Sequence, residues 1–213
     1  MTEMTAQAEY PVQFNVDYPD RPLNRLTTGF RILVAIPILA VLGAVNGEGL
    51  QFIYPSHNYE STAIPAGAGG VLVLAPLLMI LFRQKYPRWW FDWNLELTRF
   101  ANRVAVYLAL MDDQYPATDD HQSVHLDYPY PENLNRWLVL VKWLLAIPHY
   151  VVLFFLDLAS FFVVIAMWFV ILFTGRYPLG AFRFIEGVIR WNVRVTAYAF
   201  TLVTDVYPPF RLS

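Results

Sequence analysis

The sequence contains no cysteine, and charged residues make up only 15% of its 213 positions. Without cysteine, the chain has no disulfide bonds, thiolate metal ligands or cysteine nucleophiles. Soluble domains carry about 25% charged residues, so this composition argues against an ordinary soluble domain. The formal net charge is −2, and it gives the chain no general attraction to nucleic acid.

The sequence also lacks the short motifs of common enzymes. We identify no nucleotide-binding P-loop, serine nucleophile elbow or zinc-protease motif. The glycines at 67, 69 and 70 adjoin an apolar run, and no Lys-Ser or Lys-Thr pair follows them. The first apolar segment lies behind a polar, acidic N-terminal stretch, which argues against a cleavable signal. We therefore expect a protein that is not an enzyme and that binds no cofactor.

Apolar residues are abundant instead, at 57% of the chain. The longest apolar run is Trp137–Phe173, which as one helix would be about 55 Å long, nearly twice the ~30 Å hydrocarbon core. Arg136 and Arg176 flank the run, and basic residues favour the cytoplasmic side of a membrane. The run therefore predicts a hairpin with an outer turn near Asp157. Its two short spans would cover about 137–156 and 158–173.

A second apolar hairpin is predicted earlier in the chain. No lysine or arginine occurs from Ile32 to Phe82, whereas basic residues lie on both sides of this stretch. The predicted spans cover about 26–45 and 64–82, and the loop 46–63 between them is predicted to be periplasmic. The N-terminus, the inter-repeat linker and the C-terminus are then predicted to be cytoplasmic.

The two hairpins belong to an apparent internal repeat. Before and within the hairpins, Asp17-Tyr18-Pro19 matches Asp127-Tyr128-Pro129, Leu23-Asn24-Arg25-Leu26 matches Leu134-Asn135-Arg136-Trp137, and Ala35-Ile36-Pro37 matches Ala146-Ile147-Pro148. After the hairpins, Tyr86-Pro87 matches Tyr177-Pro178, and Arg99, Arg103 and Tyr107 match Arg190, Arg194 and Tyr198. We predict two tandem copies of one unit, with the loop inserted into the first. The predicted divisions are a disordered N-terminus 1–9, repeat 1 at 10–116, a linker at 117–123 and repeat 2 at 124–213.

Each copy is predicted to contain an amphipathic helix after its hairpin. In about 89–110 and 181–202, apolar and charged residues recur on separate faces at three- and four-residue steps. Helices of this kind, rich in tryptophan, favour the cytoplasmic membrane interface. Alternation within Tyr10–Asp17 and Val124–Tyr128 predicts two short strands that could pair. The predicted fold is thus an all-α membrane protein with four transmembrane helices in two tandem hairpins, plus this possible sheet.

Several of these segments resemble one known family. They are Arg136-Trp137, Leu145-Ala146-Ile147-Pro148-His149, Leu172-Phe173-Thr174-Gly175-Arg176-Tyr177-Pro178, Arg190-Trp191, and Tyr207-Pro208-Pro209-Phe210. Together they are similar to the bacterial inner-membrane family catalogued only as domain of unknown function 4389, once per copy. The resemblance implies a multi-pass bacterial inner-membrane protein, and it brings no catalytic residues.

Six basic residues are the candidate binding groups. They are Arg31, Lys142, Arg99, Arg103, Arg190 and Arg194. The first two share a repeat position: each could hold a lipid phosphate or an anionic substrate, or extend towards the headgroups as a topology-setting cation. The other four form two equivalent pairs, which could bind anionic headgroups, a partner protein or the neighbouring copy.

The histidines and one acidic residue leave further alternatives. His121 and His125 lie among aspartates and could ligate a metal, but a solvated linker is the favoured interpretation, so no metal site is predicted. His149 is interpreted as a hydrogen-bonded core residue rather than a haem ligand, because the first copy has Ile38 at that place. Asp157 is interpreted as a turn residue rather than a proton or ion site.

The sequence leaves two functional hypotheses. The first is a non-enzymatic scaffold or accessory subunit, whose partner is another membrane protein or further copies of itself. The second is a membrane protein that handles lipids or small solutes as an oligomer. The expected partners in both cases include membrane lipids, with anionic headgroups among them, and exclude nucleic acid.

Overall fold

The computed structural model describes residues 10–46, 68–118, 120–131 and 134–213. These residues form a mostly helical chain with two short strands. The elements are β1 Gln13–Val16, α1 Arg25–Gly29, α2 Arg31–Asn46, α3 Ala68–Arg83, α4 Arg88–Leu108, β2 Val124–Asp127, α5 Leu138–Leu145, α6 Ile147–Thr174 and α7 Leu179–Ala199. The disorder predicted for 1–9 and nearly all of the loop predicted for 46–63 lie outside the described residues.

The two strands confirm the predicted sheet. β1 and β2 pair antiparallel, with Phe14 opposite Leu126 and Val16 opposite Val124. These four side chains are buried, whereas their neighbours along each strand are exposed. Side chains alternate between the two faces of a strand, so one face of the sheet packs inward and the other presents polar groups.

Asparagine begins the first helix of each half. The Asn24 carboxamide oxygen accepts hydrogen bonds from the backbone N–H groups of Leu26 and Thr27, at 2.9 and 3.4 Å. The Asn135 carboxamide oxygen accepts hydrogen bonds from the backbone N–H groups of Trp137 and of Leu138, the first residue of α5, at 3.0 and 3.4 Å. Asparagine is among the best N-cap residues because its oxygen satisfies these free donors. The asparagine of each repeated Leu-Asn pair thus lies just before a helix.

The hairpin predicted for the second half is wrong. α6 is a continuous helix of 28 residues, about 42 Å long, and it passes through Asp157 without a turn. The Asp157 carboxylate accepts a hydrogen bond from the Asn192 side chain on α7, at 2.8 Å. This hydrogen bond satisfies the Asp157 carboxylate within the helix, so the residue does not have to lie in a solvated turn. Ala146 is the single residue between α5 and α6.

The described residues do not support four membrane spans. Among them, one helical stretch is long and apolar enough to cross a membrane by length and composition: Leu138–Thr174, with a mean hydropathy of 2.5 over its best window. α2 and α3 have 16 residues each, or about 24 Å, which is shorter than the ~30 Å hydrocarbon core.

The elements stack in three layers, with α4 and α7 in the middle. The sheet covers one side of this pair, since β2 contacts α4 and β1 contacts α7. On the other side, α6 packs along α7 and α2 packs on α4. The buried core therefore joins the sheet to the two central helices, through residues such as Phe14, Leu126 and Ile185.

This position differs from the one expected for the two amphipathic helices. Their bounds lie close to those predicted, but α7 is covered on both faces, and its buried residues include Glu186 and Arg194 as well as its apolar stripe. The sheet and the C-terminal residues cover the charged face, because they offer carbonyl groups to the arginine side chains. α7 thus lies in the protein interior.

Candidate functional site

A buried cation lies at the start of α2. The Arg31 guanidinium is only 2% exposed. It donates a 2.8 Å hydrogen bond to the Tyr107 carbonyl oxygen and another to that of Asp112, and it pairs with the Asp113 carboxylate at 3.2 Å. It also lies 4.2 Å from the centre of the Tyr107 ring. Every one of these partners is at or beyond the C-terminal end of α4.

The second half contains a matching arrangement at Lys142 on α5. This side chain is fully buried, and its ammonium group donates to the Thr204 carbonyl oxygen at 2.7 Å. It pairs with the Asp205 carboxylate at 2.6 Å and lies 5.3 Å from the centre of the Tyr198 ring. Its partners lie at or beyond the C-terminal end of α7, as those of Arg31 lie at or beyond that of α4.

The acidic partners also hold the helix starts. The Asp113 carboxylate accepts a hydrogen bond from the Asn24 backbone N–H at 2.8 Å, and the Asp205 carboxylate accepts one from the Asn135 backbone N–H at 2.7 Å. Each cation, its carboxylate and an N-cap asparagine therefore form one connected polar cluster. Both cations are enclosed by protein groups.

Two further arginines connect each central helix to a strand of the other half. Arg99 on α4 donates to the Leu126 carbonyl oxygen of β2 at 2.9 Å, and Arg190 on α7 donates to the Phe14 carbonyl oxygen of β1 at 2.8 Å. Phe14 and Leu126 are themselves paired in the sheet. The two arginines thus bind adjacent points of the same sheet, one from each central helix.

The last two candidate cations bind the segments that follow the central helices. Arg103 donates to the Ala117 carbonyl oxygen at 2.5 Å, and Arg194 donates to the Ser213 carbonyl oxygen at 2.9 Å. Burial lowers the pKa of the Arg194 guanidinium, and the positive charges of Arg190 and Arg211 lower it further. All six sequence-predicted cations therefore bind carbonyl groups of their own chain. Their role in binding lipid or a partner stays a prediction.

The structure places His149 in an aromatic cluster. The residue is fully buried, and its Nδ1 atom accepts a 3.1 Å hydrogen bond from the Trp191 indole N–H. The ring stacks on Phe210 at 3.9 Å between centres. Because Nδ1 accepts a hydrogen bond, the proton of the neutral ring lies on Nε2. This arrangement agrees with the predicted hydrogen-bonded core histidine.

The linker histidines lie beside an open cavity of about 580 Å³ next to the sheet. His125 contacts the Asp17 carboxylate at 2.8 Å across the paired strands. His121 is exposed. Within the part of the chain that the structure describes, no group of three or more histidine, aspartate or glutamate side chains is placed to hold a metal ion.

The outward face of α5 and α6 is apolar and exposed. We call it the outer apolar surface; its residues include Trp137, Trp143, Phe154, Phe155, Phe161, Phe162, Phe169 and Phe173, each between 51% and 78% exposed. Only 6% of the most apolar window of this stretch is buried by the rest of the protein. Exposed apolar patches of this extent mark contacts with lipid or with another protein.

A further cavity is lined by basic residues that are not among the six sequence-predicted candidates. About 550 Å³ in volume, it lies where α3 ends and α4 begins, and three exposed cations line it: Arg83, Lys85 and Arg88. In the sequence these residues indicated only which side of the membrane the helix end faces. The signal that could have singled them out is their density, since three cations fall within six residues.

Residues 136–211 match a family model described as domain of unknown function (DUF4389). The matched segment contains α5, α6 and α7, so the resemblance is confirmed for the second half of the chain. None of the curated proteins matches the chain, and neither does any solved structure. The assignment of the first half to the same family and the inner-membrane location stay predictions.

Proposed function

We propose that this protein is a non-enzymatic membrane scaffold that lies in one leaflet, with α6 parallel to the membrane plane. The observation that carries this proposal is the outer apolar surface, which extends along the whole length of α6. Large aromatic side chains are exposed at its start, middle and end, at Phe154, Phe161 and Phe173. Lipid is the environment that would bury such a surface.

The in-plane orientation is supported by the polar groups that lie across α7 from the middle of α6. Arg190 in the middle of α7 binds the carbonyl oxygen of Phe14 in β1, and Asn192 beside it binds Asp157 in the middle of α6. The sheet, with exposed Gln13 and Asn15, is thus separated from mid-α6 by one helix. If α6 crossed the membrane, these polar groups would enter the hydrocarbon core, where unsatisfied groups cost several kcal/mol each.

The two halves suit a platform of this kind. Matching clusters around Arg31 and Lys142 support the idea of two tandem copies related by a pseudo-two-fold axis along the membrane normal. In this arrangement both copies place their apolar helices in the lipid and their strands in the water. We assign the strand side to the cytoplasm, because basic residues that flank apolar segments favour the cytoplasmic side of the bacterial inner membrane.

The scaffold role means that the water-facing layer holds a partner membrane protein or a second copy of the chain. Crosslinking in cells, followed by purification in mild detergent, tests this part. Recovery of a defined partner or oligomer is the expected result. A monomer without crosslinked species would contradict the scaffold role and leave the membrane placement intact.

The orientation can be tested by single-cysteine labelling, because the chain has no native cysteine. Thr174→Cys and Leu145→Cys place a thiol near each end of α6, and Asn15→Cys places one on the strand side. Phe161→Cys, in the outer apolar surface, is the matched variant facing lipid. An impermeant maleimide is applied to sealed membranes of each orientation, with and without detergent.

We expect Asn15→Cys, Leu145→Cys and Thr174→Cys to react from the same side of the membrane. Phe161→Cys should react only after detergent is added. Labelling of the two ends of α6 from opposite sides would contradict the in-plane placement. Release of the wild-type protein by alkaline carbonate would contradict membrane insertion itself.

A further inference from the structure

We infer that the basic cavity between α3 and α4 binds the phosphodiester headgroup of an anionic phospholipid. This inference rests on the proposed membrane placement and adds a specific ligand to it. The cavity lies in the turn that joins an outer-layer helix to a central helix. A headgroup at this point would connect the lipid-facing layer to the water-facing layer.

The backbone of this turn brings the cations together. α3 ends where Gln84 adopts a left-handed conformation, with φ at 51°, and its N–H donates to the Ile80 carbonyl oxygen at 3.0 Å. Pro87 precedes the first residue of α4, and its carbonyl oxygen accepts hydrogen bonds from the Trp90 and Phe91 N–H groups, at 3.1 and 3.0 Å. The short turn therefore places Arg83, Lys85 and Arg88 around one opening.

The cations of the cavity have no ionic partner among the described residues. Arg83, Lys85 and Arg88 are all exposed. In the described part of the chain none of them forms an ion pair, unlike Arg31 and Lys142. Arg88 lies 5.4 Å from the centre of the Tyr130 ring, which restrains its guanidinium without neutralising it. None of the described residues that line the cavity is acidic.

The rest of the lining favours a lipid over a free anion. Met79 and Leu134 contribute apolar surface to the same cavity. Trp89 lines it as well and is 66% exposed, and Phe82, one residue before the basic segment, is 75% exposed. Tryptophan favours the headgroup level of a bilayer. A phosphate bound here would therefore have apolar surface beside it for the attached glycerol and acyl chains.

The corresponding turn of the second half gives an internal control. Gly175 occupies the left-handed position, with φ at 71°, and Pro178 precedes α7. Thr174 and Leu179 stand where the first half has Arg83 and Arg88, so Arg176 is the one cation left at these three places. The cavity near this turn is smaller, about 310 Å³, and Asp20 lines it beside Arg21. The turn geometry is shared, but the second-half cavity holds an acidic side chain, Asp20, among its cations, whereas no described residue of the first-half cavity is acidic.

The test measures lipid preference of the full chain in mild detergent. Fluorescent phosphatidylglycerol and phosphatidylcholine with identical acyl chains are titrated separately, and the ratio of their apparent Kd values is recorded. The test variant carries Arg83→Gln, Lys85→Gln and Arg88→Gln. The control variant carries Arg21→Gln, Arg176→Gln and Arg183→Gln, which removes three exposed charges elsewhere. Excess inorganic phosphate at constant ionic strength forms a further arm.

We expect wild type and the control variant to prefer phosphatidylglycerol, and the test variant to lose about tenfold or more of that preference. Each lysine or arginine near an anionic surface contributes about 1 kcal/mol, or roughly fivefold. An equal loss in both variants would mean general electrostatic attraction and would overturn the inference. An unchanged test variant, or complete displacement of the lipid by inorganic phosphate, would overturn it as well.

Two additions keep the outcome interpretable. If the triple variant does not fold by circular dichroism, Lys85→Gln alone should lower the preference about fivefold, and no change would count against the site. Incorporation of wild type into phosphatidylcholine vesicles, with the labelling pattern described above, reports on membrane placement separately. Failure of the lipid preference alone would then leave the proposed function standing.

Discussion

The two halves of the molecule make matching contacts with different chain arrangements. In the second half, one helix, α6, covers α7, and residues such as Leu153, Trp191 and Val195 form their contact. In the first half, α2 covers the later part of α4 through Ala35, Ile38, Val104 and Tyr107, and α3 follows after residues 47–67. A central helix can thus be covered by a long helix, as α6 covers α7, or by a shorter one over part of its length, as α2 covers α4. Both halves therefore bury their central helix, although the helices that cover it differ in length.

The halves also differ in how the central helix is covered on its polar side. At Gly187 on α7, a Cβ atom would lie 2.8 Å from the Leu212 Cβ atom and 2.9 Å from its carbonyl oxygen. The matching residue in α4 is Glu96, which is exposed and pairs with Arg99 at 2.5 Å. The C-terminal residues therefore pack tightly on the second half, whereas the corresponding place in the first half is open to solvent.

The largest expected effect concerns the two buried cation clusters. Asp205→Ala should lower the free energy of unfolding by about 3 kcal/mol, because Lys142 would stay buried with a single carbonyl partner. Asp113→Ala should cost less, about 2 kcal/mol, since Arg31 retains two carbonyl acceptors. Unfolding in mild detergent, followed by circular dichroism, measures both values.

A double variant separates charge burial from packing at this cluster. Lys142→Met with Asp205→Ala should recover most of the stability lost in Asp205→Ala, because no unpaired charge is left inside. A double variant as unstable as the single one would show that the loss comes from the helix start held by Asp205. An Asp113→Ala cost above that of Asp205→Ala would reverse the ranking proposed for the two halves.

The next effect tests the tight contact at the C-terminus. Gly187→Ala should lower the free energy of unfolding by about 1–3 kcal/mol, since the added methyl group meets backbone atoms of Leu212. Gly180→Ala is the matched control, because nothing lies within 4 Å of its added Cβ atom. It should be neutral or stabilise α7 by up to about 1 kcal/mol, as alanine favours helices over glycine. Thermal unfolding of both variants distinguishes them, and equal midpoints would argue against the tight contact.

The smallest effect compares two tyrosines at matching positions. Burial raises the pKa of both the Tyr86 and the Tyr177 hydroxyl groups. The Tyr86 hydroxyl donates to the Thr201 carbonyl oxygen at 2.9 Å, whereas that of Tyr177 has no hydrogen-bond partner among the described residues. Tyr86→Phe should therefore cost about 1 kcal/mol, and Tyr177→Phe should be neutral or slightly stabilising. Equal losses in denaturant unfolding would contradict the difference between the halves.

Much of the secondary structure was predictable because it depends on local patterns. Alternation identified both strands, and the three- and four-residue periodicity located α4 and α7 to within a few residues. The turn assigned to Asp157 was wrong for a physical reason. A turn is required only if the apolar run crosses a bilayer twice, whereas a helix packed along α7 is not limited to the membrane thickness.

The six candidate cations were also only partly predictable from the sequence. Their types and repeat positions were clear in the sequence, and so was the pairing of Arg31 with Lys142 by position. Their partners were not, because backbone carbonyl groups such as those of Phe14 and Leu126 leave no signature in a sequence. The sequence could therefore not show that these charges are used inside the chain.

The sequence by itself determined the apolar composition and the positions of the strands and central helices. These features depend on residues close together in the chain, so local chemistry is enough to specify them. Only the tertiary structure decided that α6 is continuous, that the six cations bind carbonyl groups of their own chain, and that apolar and polar groups lie on opposite sides of the central helices. Those outcomes depend on contacts between residues far apart in the sequence, such as Arg190 with Phe14 and Asn192 with Asp157.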